Sequence, residues 1–194
     1  MNERPHLVRA VDAVLVVIDV QERLAAAMPH RSRVVNATSR LLRAAALLGM
    51  PIVVTLQNPD GLGGLVPELA DVLASPELAS ADVRTVDKMA FCCSLELAFT
   101  AAMSATGRSQ VVICGMETHI CVTQSALALA ADGYETYVAA DACCSIDDGD
   151  AHTALDRLRA DDVEVLTSQS AMYEAVRRAG TDEFRALLRI VKGG

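Results

Sequence analysis

Three side chains of complementary chemistry stand just after short apolar runs. Asp19 follows "AVLVVI", Lys88 sits in "VDKMAFCCS", and Cys121 sits in "CGMETHICVTQSALALAADG". A thiol can attack a carbonyl, a carboxylate can take its proton, and an ammonium can stabilise both anions. Cys121 falls where a helix is expected to begin, so unpaired backbone N–H groups and the helix dipole favour thiolate there. The amides of the turn before it could hold an oxyanion. Each residue taken alone has a plainer explanation: a turn or cap for Asp19, a solvated loop charge for Lys88, a core-filling thiol for Cys121. They are far apart in the chain, so only a fold that gathers strand ends can join them.

Several neighbours compete for a role. Gln21, two places after Asp19, could orient the carboxylate or bond backbone. His119 suggests a Cys–His dyad, but residues i and i+2 of a helix point to different faces. In a turn it could contact substrate instead. His152, in an expected surface helix, is a weaker candidate, and Asp141 either lines the site or caps the next turn. The apolar "MAF" after Lys88 hints that this segment turns inward. "DGLGG" lacks the spacing and the Lys-Ser/Thr of a phosphate-binding loop and follows no G-x-G-x-x-G pattern. It reads as a mobile loop over the pocket.

The elements that must position these residues alternate. Ala13–Asp19 is a β-branched run suited to a strand covered on both faces. Val34, Ala37, Leu41, Ala45 and Leu48 repeat at helical spacing, with Arg33, Asn36, Arg40 and Arg43 opposite. Gly49 and Pro51 end that helix before the strand "IVVTLQ". "NPDGLGG" is a loop, "VPELADVL" a short helix and "ADVRTVD" a weaker strand. Leu95, Ala98, Phe99, Ala102 and Met103 mark a helix with Ser94 as N-cap. "QVVICG" is a strand, and the helix after it is apolar nearly all round. "YETYVAAD" and "DVEVLT" are strands separated by a helix over "DAHTALDRLRA". Phe184, Leu187, Leu188 and Val191 set the core face of the last helix. Strands alternating with helices imply a three-layer α/β/α, Rossmann-like domain over residues 1–194, with about six strands in a mostly parallel sheet. Ligands of such sheets sit beyond the carboxyl ends of the strands, near the switch point in strand order.

Composition narrows the chemistry. The 194 residues are 52% hydrophobic and 3% aromatic, with no Trp, and carry a formal charge of −8. That disfavours nucleic acid and anionic membrane surfaces as partners. No apolar run reaches a membrane span, and "MNERPHLVRAVD" has no secretory h-region, so a cytoplasmic location is expected. The six cysteines should then stay mostly reduced. The adjacent pairs Cys92–Cys93 and Cys143–Cys144 do not match zinc spacing, and no metal or cofactor is expected.

"VVIDVQ", "DKMAFCCS" and "VVICGMETHICVTQSALALAADGYETYVAADACCS" together resemble the isochorismatase-like cysteine hydrolase superfamily. The likeness runs in order over almost the whole chain, and Gly115, Thr118, Cys121 and Val122 keep its Gly-x-x-Thr-x-x-Cys-Val spacing. The resemblance implies an Asp19–Lys88–Cys121 triad and a six-stranded parallel sheet. It also implies a homo-oligomer and a non-proline cis peptide at Met116–Glu117, with the backbone N–H groups of Glu117 and Cys121 as oxyanion donors. The nicotinamidases of the superfamily place an Asp-x-His metal motif where this chain has Gln57 and Asn58, so neither metal nor nicotinamide is supported. Isochorismatases proper usually lack the cysteine. "TLQNPDGLGGLVPEL" looks closer to the isochorismatase domain-containing branch. The implied activity is hydrolysis of a small amide or related C–N bond, with Gln21, Gln57, Phe91 and His119 as candidate pocket residues. A catalytically idle oligomeric scaffold and a thiol redox sensor are the rival classes.

Overall fold

The computed structural model describes residues 7–193. The first six residues, part of the stretch read for a secretory signal, lie outside the described residues. Six strands form one all-parallel sheet: β1 (Ala13–Ile18), β2 (Ile52–Gln57), β3 (Val83–Lys88), β4 (Gln110–Met116), β5 (Glu135–Cys144) and β6 (Glu164–Leu166). Their spatial order is β3-β2-β1-β4-β5-β6. The chain steps outward from β1 one way, then returns to β4 and steps outward the other way. The switch point therefore lies between β1 and β4, and sheets of this kind bind ligands beyond the carboxyl ends of the strands there.

Both faces of the sheet are covered, which is why β1 and β4 are buried at every position. Alternate residues serve opposite layers. Ala13, Leu15 and Val17 pack into a cluster with α2 (Arg31–Leu47), α4 (Pro67–Leu73), α8 (Ser168–Val176) and α9 (Asp182–Lys192). Val14, Val16 and Ile18 pack into a second cluster with α5 (Leu97–Thr106), α6 (Thr123–Ala131) and α7 (Asp148–Ala160). In α2 the expected apolar positions Val34, Ala37, Leu41 and Ala45 are buried, Leu48 caps the helix half-buried, and Gly49 follows at φ +67°. Two short helices, α1 (Glu22–Ala26) and α3 (Pro59–Leu62), lie near the strand ends.

Several local expectations shift. Ser94 does not cap α5: it sits in a 3₁₀ turn, Cys93–Leu95, with its hydroxyl buried and unpartnered. Glu96 takes the cap position, but its carboxylate accepts from Met89 N and Ala90 N at 2.9 and 2.8 Å and so tethers the preceding loop. The late start moves Leu95 off the core face, and it is exposed. The "NPDGLGG" loop contains the single turn α3, entered through Asn58 at φ +39°. β5 runs past Asp141, where a bulge sets two steps of β4 (Ile113 to Gly115) against five of β5 (Val138 to Cys143). The Arg33 guanidinium donates to the carbonyls of Ala140, Asp141 and Cys143, and Asp141 accepts from Ser168 N and Oγ at 2.6 Å each. These bonds satisfy groups that the broken ladder would leave orphaned.

Candidate active site

Asp19 leaves β1 at the switch point. Its backbone turns left-handed (φ +54°), and its N–H donates to Thr55 O at 3.2 Å. The neighbouring strand comes unusually close here. Gly115 pairs with Ile18 at φ +136°, and a Cβ on it would stand 1.9 Å from Ile18 O. Only glycine allows β4 to end against β1 in this way. The Asp19 side chain is fully buried, and Oδ1 accepts from Thr55 Oγ1 at 2.8 Å. Oδ2 faces Lys88 Nζ at 2.7 Å as an ion pair but accepts no well-aligned hydrogen bond.

Lys88 ends β3, an edge strand, yet is only 2% exposed because the following segment folds over it. Besides Asp19, its ammonium meets Gln57 Oε1 at 2.6 Å, Ala90 O at 3.2 Å, Phe91 O at 3.4 Å and Cys121 Sγ at 3.5 Å. Burial pulls its pKa down, the Asp19 charge pushes it up, and the outcome is a raised value. Lys88 is thus held as an ammonium, its charge matched by a buried carboxylate.

Cys121 lies in one wide π turn, Thr118–Val122, ahead of α6, rather than in the first turn of a regular helix. Glu117 O accepts from both Ile120 N and Val122 N, and Thr123 Oγ1 donates to Thr118 O at 2.6 Å. The peptide bond Met116–Glu117 is cis. The thiol does not gain the low pKa its position suggested. Burial pushes it up to about 12, the Asp19 charge pushes the same way, and Lys88 only partly opposes them. Desolvation outweighs the turn's dipoles because Cys121 is 5% exposed.

The other candidates divide. His119 is partnered by Ser145 Oγ at 2.8 Å through Nδ1 and by Asp150 Oδ2 at 3.7 Å through Nε2, on the β5–α7 side of the turn. Glu117 accepts from Ile146 N at 2.9 Å through its carboxylate. Gln21 is fully buried and spends its amide on backbone: Nε2 donates to Gln57 O and Gly63 O, and Oε1 accepts from Gln57 N. Gln57 turns to Lys88 and to Met89 O. Of the four pocket candidates, Phe91 is the one well exposed. His152 bonds Asp148 O on exposed α7, away from these groups. Among the described residues, no group of three or more His, Cys, Asp or Glu side chains is arranged to hold a metal. An apolar cavity on the α2 face, lined by Leu15, Leu41, Met50, Val112 and Met172, has no polar group to orient a substrate.

Two members of the site escaped the sequence. Thr55 is a lone hydroxyl within the otherwise aliphatic "IVVTL", which was the available signal. Cys93, fully buried, feels Lys88 and Asp19, and burial pushes its thiol up to about 11.

The isochorismatase domain family matches residues 13–170. The chain is 33% identical over 181 residues to the secreted isochorismatase effector Isc1 of Phytophthora sojae, covering 93% of this chain and 84% of that protein. It is also 33% identical over 183 residues to mouse isochorismatase domain-containing protein 2A, covering 93% and 82%. Among solved structures, the MAR1 ribonuclease of Caenorhabditis elegans superposes with a TM-score of 0.86 at 26% identity, over 96% of this chain and 92% of that one. The YcaC gene product of Escherichia coli, an octameric hydrolase of unknown specificity, superposes with a TM-score of 0.84 at 23% identity, over 97% and 92%.

Proposed function

The chain belongs to the isochorismatase family, and from that premise we propose that residues 1–194 form one hydrolase domain that cleaves a small amide or related C–N bond through Cys121. The strongest support is the position of one buried ammonium. Lys88 Nζ lies 2.7 Å from Asp19 Oδ2 and 3.5 Å from Cys121 Sγ, at the switch point of the sheet.

The high thiol pKa makes the chemistry concerted. Asp19 Oδ2 removes the thiol proton as Sγ bonds to the substrate carbonyl carbon, so a free thiolate need not accumulate. The carbonyl π electrons move to oxygen, and the oxyanion takes hydrogen bonds from the backbone N–H groups of Glu117 and Cys121. Collapse of the adduct breaks the C–N bond, and Asp19 returns the proton to the leaving amine. Asp19 then deprotonates a water that attacks the thioester, the C–S bond breaks, and the proton restores the thiol. The balance is amide plus water to acid plus amine, and neither metal nor cofactor takes part. Lys88 stays charged throughout and stabilises whichever partner carries the negative charge.

A small uncharged or weakly polar substrate fits a charge of −8 and few aromatic residues better than a polynucleotide does. The six unpaired, buried thiols suit a reducing compartment, so we place the enzyme in the cytoplasm, although the Phytophthora relative is secreted. The test is a screen of small amides, ureides and carbamoyl compounds against the wild type and Cys121→Ala. Turnover confined to the wild type is expected, with both proteins melting alike. An unchanged rate in Cys121→Ala would overturn the mechanism.

A further inference from the structure

Gln57 ends β2 directly beside Lys88 in the parallel register. Its backbone and side chain are both held. Gln21 clamps its N–H and C=O, its Nε2 donates to Met89 O at 2.8 Å, and its Oε1 lies 2.6 Å from Lys88 Nζ. The bond to a carbonyl settles which end of the amide is the NH₂, so the oxygen must face the ammonium.

An ammonium has three protons, and five acceptors surround this one within 3.5 Å. The short bond to Gln57 sets the direction of one proton, while Asp19 holds the ammonium by charge at 2.7 Å. The remaining protons fall among Cys121 Sγ and the carbonyls of Ala90 and Phe91. The ionisable groups that reach Lys88 are Asp19 after β1, Cys93 and Glu96 after β3, and Cys121 after β4. Gln57 supplies a second strong acceptor with no charge. A carboxylate there would compete with Asp19 and Cys121 for the same ammonium.

We propose that Gln57 is a positioning residue whose neutral amide oxygen orients the Lys88 ammonium toward Cys121 without dividing its charge. This rests on the reading of Asp19, Lys88 and Cys121 as the reacting groups. It assigns Gln57 to the charge relay rather than to the substrate pocket.

The experiment is iodoacetamide alkylation of Cys121, followed by peptide mass spectrometry across a pH series. The wild type, Gln57→Glu and Gln57→Met are compared, and melting temperatures are recorded beside the rates. Gln57→Glu should slow alkylation at fixed pH by about tenfold, one pKa unit, and move its rise to higher pH. Gln57→Met should slow alkylation at every pH. If both variants melt lower but keep the wild-type rates and pH profile, Gln57 is merely structural and the proposal fails. Faster alkylation in Gln57→Glu would also overturn it. Should Gln57→Met not fold, Gln57→Glu, which keeps the size and an acceptor, carries the test. The triad reading fails separately, if Cys121→Ala retains hydrolysis. Altered alkylation in the Gln57 variants would still test the orientation of Lys88.

Discussion

At the residue level, Asp19 and Lys88 depend on each other because neither charge has water to fall back on. Lys88→Met would leave the Asp19 carboxylate buried and unpaired, which should destabilise the protein by about 3–5 kcal/mol in urea titrations as well as abolish turnover. Asp19→Asn is the cleaner probe. It keeps shape and an acceptor for Thr55 but cannot take a proton, so the rate on any identified amide should fall by about 10²–10⁴-fold. A small loss would show that Asp19 is not the base. Cys121 makes a third prediction. With its thiol pushed up to about 12, its alkylation should rise with pH well beyond the ordinary thiol value of about 8.5. A plateau near neutrality would mean a preformed thiolate instead.

Elements bring these residues together, and some positions serve only that purpose. Gly115 touches no substrate in the proposed mechanism, yet a methyl group on it would meet backbone rather than a yielding side chain. Gly115→Ala should therefore cost ~3 kcal/mol or more and pull β4 from β1, read as a fall in urea midpoint together with lost Cys121 alkylation selectivity. Asp147 is a milder case. It caps α7 by accepting from Gly149 N and Asp150 N at 2.7 and 3.3 Å. Asp147→Ala should cost about 1 kcal/mol by chemical denaturation and leave the reaction intact. The strap from Asn58 to Val66 is zipped to residues 20–23 by Val66 N to Val20 O, Glu22 N to Gly64 O and the Gln21 side chain. What reads as a loop in sequence is thus a fixed wall.

For the whole molecule, buried thiols tie stability to pH. Cys93, Cys114, Cys121, Cys143 and Cys144 all have folded pKa values raised by burial. In the unfolded chain they lose protons near the ordinary value of about 8.5, while the folded chain keeps them. Their contribution is complete below that pH and is lost as pH rises, by up to about 1.4 kcal/mol per thiol per pH unit. Urea midpoints should fall steeply above about pH 9; a flat response would mean that these thiols are solvated. A second property concerns surface. Met89, Phe91, Leu95 and Leu97 are exposed, large and apolar, in one short stretch beside Lys88. If copies of the chain bury this patch against one another, sedimentation should report a multiple of 20.5 kDa, and Phe91→Asp should shift it toward the single chain.

By itself the sequence determined the alternation of buried strands and helices, because local periodicity and apolar runs reflect which faces must leave water. It also marked Asp19, Lys88 and Cys121 as residues of complementary chemistry at strand ends, and the spacing around Cys121 carried the family resemblance. It could not decide the start of α5, the bulge in β5 or the partners of Gln21 and Gln57. Those depend on hydrogen bonds between segments far apart in the chain, such as Arg33 to Cys143 O and Gln21 to Gly63 O. Nor could it decide the state of Cys121. Position at a helix start favours thiolate, but burial is a property of everything packed around the sulfur, and here burial dominates.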